Sequence, residues 1–74
     1  MTITVKSVSG PSPDFIYLEG VADDCPQATR RRSIACAALA DGRVTVADEK
    51  AALIAEVTQA RTNWLAAQQA LADL

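Results

Sequence analysis

The side chains able to carry chemistry in this chain are two cysteines and a run of three arginines. Cys25 and Cys36 lie eleven positions apart, and Arg30, Arg31 and Arg32 fall between them. Histidine is absent, which removes the commonest general base, the commonest metal ligand and the usual near-neutral switch. Two thiols without an imidazole do not complete a four-ligand zinc site. Serine and cysteine both lack the base that a nucleophilic triad requires. Gly10, Gly20 and Gly42 each stand alone, so no glycine-rich loop can cradle a phosphate. The Asp41-Gly42 pair invites comparison with a calcium loop. With Gly42 at the sixth position, however, the first and third ligand positions are Ala37 and Leu39, and neither can bind a cation. The expectation is a chain with no catalytic, cofactor-binding or metal-binding residues.

The cysteines and arginines depend on the element that carries them. A helix over 26–40 would hold Cys25 and Cys36 roughly 16 Å apart, beyond the span of about 7 Å that a disulfide tolerates. Either both thiols stay reduced, or Cys25, at the predicted helix start where the dipole lowers a thiol pKa, forms an interchain disulfide. On such a helix the three arginines fan round the axis about 100° apart rather than forming a stripe. They read as solvated residues pairing with acids such as Asp23 and Asp24, or as a contact for an anion or an acidic partner. No aromatic residues interleave with them as single-strand stacking requires.

Pattern places the elements. Ile3 and Val5 alternate with Thr2, Thr4 and Lys6, which predicts a strand over 2–8. Ser9 to Asp14 has loop composition. Asp14 to Glu19 predicts a second strand, making a β-hairpin over 2–19. That strand is apolar on both faces, with Phe15 and Tyr17 on one and Ile16 and Leu18 on the other. Pro26 suits a first helical turn, and Gly42 suits a C-cap. Thr45, with Asp48 three residues on, predicts the cap of a second helix over 46–73. The expected fold is α+β: an N-terminal β-hairpin, then an antiparallel two-helix hairpin with a long C-terminal helix. Ile34 to Ile54 resembles the helix–Asp-Gly-x-Val-Thr–helix hairpins of TerB-like domains and of some bacterial membrane-peptidase tails. No function or residue role is carried over from that resemblance.

The long helix carries the strongest signal. Leu53, Val57, Ala60, Trp64, Ala67, Leu71 and Leu74 are spaced 4, 3, 4, 3, 4 and 3, the apolar seam of a coiled coil or one buried face of a small domain. Ile54 and Leu65 flank it, and Ala51, Ala55, Ala66 and Ala70 add a small-residue strip. From Thr62 onward the only charged side chain is Asp73. A first helix of roughly 22 Å reaches only to about residue 60 of a second helix of roughly 42 Å. The remainder overhangs, to be covered by the hairpin or by another chain. The expected core is Ile3, Val5, Phe15, Tyr17, Ile34, Leu39, Val46, Leu53, Val57, Trp64 and Leu71.

Scale points the same way. Half of the 74 residues are apolar, yet Phe, Trp and Tyr occur once each. A chain this small rarely stands on its core alone and usually needs a disulfide, a metal or a partner subunit. Net charge is −2, without the basic face of a nucleic-acid binder. No apolar run approaches the roughly 20 residues of a membrane span, and the first residues lack a secretion signal's order. The expectation is a cytoplasmic protein, or a virion component if phage-encoded, acting as a non-catalytic assembly subunit. It would form a homo-oligomer or dock into a larger complex, with no nucleic-acid or membrane partner. Phe15, Ile16, Leu18, Ile54, Trp64, Leu65 and Leu71 are the expected interface. The alternative is a small inhibitor that binds one host protein through an acidic surface around Asp14, Glu19, Asp23 and Asp24.

Overall fold

The computed structural model describes residues 1–74. The chain forms strands β1 (Ile3–Val8), β2 (Phe15–Ala22) and β3 (Cys25–Ala35), a short helix α1 (Cys36–Ala40) and a long helix α2 (Val46–Ala72). The strands make one antiparallel sheet in the order β1-β2-β3, and α2 lies across one face of it. The α+β class and the long C-terminal helix match the sequence reading. The two-helix hairpin does not: most of the segment read as a helix over 26–40 is the third strand, and only Cys36–Ala40 is helical. Between Ile34 and Ile54, where the sequence predicts a helix–turn–helix hairpin, the chain has the end of β3, the five-residue α1, a turn and the start of α2.

Pairing registers define the two faces. Val5 opposes Gly20, and Gly20 opposes Arg30. A Cβ on Gly20 would touch Val57 and Leu53, so this row faces α2. Leu18, Ala22 and Ile34 share that face and are buried, as are Cys25 and Ala28. Phe15, Tyr17, Glu19 and Arg31 alternate onto the outer face. β2 and β3 are joined by Asp23-Asp24 without any positive φ. The register slips between Gly20 and Ala22, and such a bulge supplies twist that a turn of this kind lacks.

Local chemistry ends each element as its residues dictate. In the β1–β2 loop, a Cβ on Gly10 would lie 2.0 Å from the Tyr17 ring, so only glycine lets the loop close over that ring. Gly42 takes the one positive φ, +79°, and turns the chain after α1. The Thr45 Oγ1 accepts the Asp48 N–H at 3.1 Å, capping α2 as its sequence predicts.

Only eight of the 74 residues are buried. Of the expected core, Ile34, Leu53 and Val57 are buried. Ile3, Val5, Tyr17 and Leu39 are half-buried. Phe15, Val46, Trp64 and Leu71 are exposed, because the sheet stops before it reaches Trp64 and Leu71, and Phe15 faces outward from a sheet with one layer of cover.

Candidate protein-protein interface

α2 runs antiparallel to β3, and its first half is tied to the sheet by charge. The Arg32 Nη1 donates to the Glu56 Oε1 at 2.7 Å, and its Nε donates to Glu49. These two acids hold the Arg32 guanidinium above its ordinary pKa, with the Glu49 hydrogen bond as the largest cause. At the far end, Arg61 forks onto Asp24, Nε to Oδ1 at 2.9 Å and Nη2 to Oδ2 at 2.7 Å. That bidentate geometry is the strong form of a carboxylate pair. It pins α2 to the β2–β3 turn and marks where the sheet ends.

Past Arg61 the helix has no cover. Leu53 and Val57 are fully buried and Ala60 is half-buried. The same seam then emerges, with Trp64 38% exposed, Leu71 59% and Leu74 fully exposed. Every residue from Thr62 to Leu74 is exposed. One stripe of side chains therefore serves as core along its first half and as bare surface along its second. Polar groups there are partly satisfied locally: the Thr62 hydroxyl donates to the Thr58 carbonyl at 3.1 Å, and the Gln59 amide donates to Asn63 at 3.0 Å.

The expected interface residues do not form a single surface. Trp64, Leu65 and Leu71 share the protruding half of α2, and Ile54 is half-buried further back on the same helix. Leu18 is in the core. Phe15 and Ile16 pair with Ala35 and Ile34, at the opposite end of the molecule from the protrusion. Phe15 stacks obliquely on Tyr17 with ring centroids 6.4 Å apart. Ala67 and Leu74, part of the seam but outside the expected interface, complete the exposed stripe.

The cysteines and arginines are placed differently from expectation. Cys25 opens a strand rather than a helix and is 2% exposed, so neither a helix dipole nor solvent reaches its thiol as an interchain link requires. Cys36 is half-buried, and both are free. The arginines alternate across β3 instead of fanning round a helix. Arg31 points outward to Glu19, which Lys6 also approaches. Arg32 points inward to Glu49 and Glu56. Arg30 borders an open groove with Glu56, Gln59, Ala60 and Asn63, its Nη1 donating to the Thr29 carbonyl at 2.8 Å. Two of the three are thus committed to internal pairs. So are most of the acids of the alternative reading: Glu19 lies between Lys6 and Arg31, Asp24 holds Arg61, and Asp23 accepts the Thr2 N–H.

No helix is long and apolar enough to cross a membrane. Set against known protein families, curated proteins and solved structures, the chain matches none.

Proposed function

We propose that this chain is a non-catalytic assembly subunit that self-associates through the free half of α2. The observation that carries the reading is the seam itself: its first half fills the core, and its second half, with the same spacing, lies uncovered. The near absence of charge from Thr62 to Leu74 supports it, because a face that stays in water normally carries Lys, Glu and Arg. Trp64 is of the type that anchors interfaces.

Light-scattering mass across a concentration series tests this. The expected result is a mass that rises above 7.8 kDa with concentration and returns to it in the Trp64→Ala/Leu71→Ala variant. Reductant should leave the mass unchanged, since the association runs through the helix seam and not through a disulfide. A mass of 7.8 kDa throughout would overturn the reading.

A further inference from the structure

Beyond Arg61 the seam presents Trp64, Ala67, Leu71 and Leu74. Three features restrict what can cover it. The first is steric. Paired helices lie about 8–10 Å apart, and the chain's own sheet already fills that space along Leu53 to Ala60. A second helix running parallel would have to pass through the sheet. One entering from the opposite direction meets no obstacle, because its own sheet begins only after the first helix has ended.

The second is size. Seam positions oppose unlike positions in an antiparallel pair and like positions in a parallel one. Parallel pairing would stack Trp64 on Trp64 and Ala67 on Ala67, a bulge beside a void. Antiparallel pairing sets Ala67 against Leu71 twice, so that large meets small at the centre, and brings Trp64 to the end of the partner helix, where Leu74 follows the C-cap Asp73. The stripe is complementary to itself read backwards, which selects a second copy as its occupant. With a single charged side chain on the segment, like charges do not oppose the pairing, and opposed helix dipoles favour it.

The third is area. The chain exposes 4878 Å², whereas a compact monomer of its mass would expose roughly 4,400 Å². The excess, roughly 500 Å² per chain, is surface that an elongated shape leaves open, and covering all of it in a pair would reach roughly 1,000 Å² in total, the lower threshold for a specific interface.

We infer that two copies pair antiparallel through Trp64, Ala67, Leu71 and Leu74, about a two-fold axis between Ala67 and Leu71, with their sheets at opposite ends of the dimer. The inference rests on the self-association reading and adds partner, direction and register.

Cysteine cross-linking tests it in a Cys36→Ser background, with Ala67→Cys and Leu71→Cys made separately and one of them tagged for size. Light scattering first establishes the mass of each variant. Under mild oxidation the mixture should shift to the heterodimer band, and each variant alone should remain at its monomer band. Cross-linking of Ala67→Cys with itself would show a parallel pair and overturn the inference while leaving self-association standing. A doubled mass with no cross-link in the mixture would place the contact elsewhere and also overturn it. A monomeric mass for the unmutated chain at every concentration would remove the self-association reading itself.

Discussion

Arg61 holds Asp24 by two hydrogen bonds, and this contact has a pH signature. The Arg61 hydrogen bond is the largest cause holding the Asp24 carboxyl below its ordinary value of 3.8, and the same contact raises Arg61. A carboxylate whose pKa is lowered on folding binds protons less readily in the folded state. Its stabilisation is therefore complete above pH 3.8 and is lost as pH falls through the lower folded value. The melting temperature of the native chain should exceed that of Asp24→Asn by a constant margin near neutrality, and the margin should close below pH 3.8. A margin that persists into strong acid would show that the pair does not act as an ion pair. Arg32, beside Glu49 and Glu56, is the other cross-element tie. It is half-buried, so its aliphatic stem also covers apolar surface.

At the level of elements, the contact between α2 and β2 depends on a missing side chain. A Cβ on Gly20 would lie 3.0 Å from the Val57 Cγ2 and 3.1 Å from the Leu53 Cγ, so those side chains would have to give by a few tenths of an ångström. Gly20→Ala should cost about 1–3 kcal/mol by overpacking, read as a lowered denaturant midpoint. An unchanged midpoint would mean that α2 sits further from the sheet than the core packing shows. Some of these elements were legible in the sequence and one was not. The Thr45 cap and the seam identified α2 within a residue or two, and Ile3 and Val5 identified β1 by alternation. β3 escaped because two of its inward positions are Arg30 and Arg32, which erase the apolar alternation that signals a strand. They are tolerated there because β3 is an edge strand, where Arg32 reaches Glu49 and Glu56 of α2 and Arg30 turns back to the Thr29 carbonyl beside an open groove, and inward charges also protect an open edge from pairing with other chains. Pro26 compounded the misreading, since it suits the start of an edge strand as well as a helix. The candidate interface was only half legible: the seam located Trp64 and Leu71, but spacing alone could not show where the sheet stops and the bare stripe begins.

The whole molecule is long for its size. It measures 51 × 22 × 18 Å with a radius of gyration of 14.7 Å, against about 11 Å for a compact chain of 74 residues. The excess length is the free half of α2, which leaves a small globular head on a bare apolar stalk. Isolated helical segments of this length are marginal in water, so a stalk without cover gains little from staying folded alone. Covering it would stabilise both the helix and the thin core that it extends. Trp64 is the only tryptophan in the chain and stands at the base of the stalk, so its fluorescence reads that surface directly. The most direct measurement is Trp64 emission and its quenching by acrylamide across a concentration series, for the native chain and for Leu71→Lys. Association through the stalk predicts that the emission shifts to the blue and quenching falls as concentration rises, and that Leu71→Lys abolishes both changes. Emission and quenching that stay constant at every concentration would contradict it.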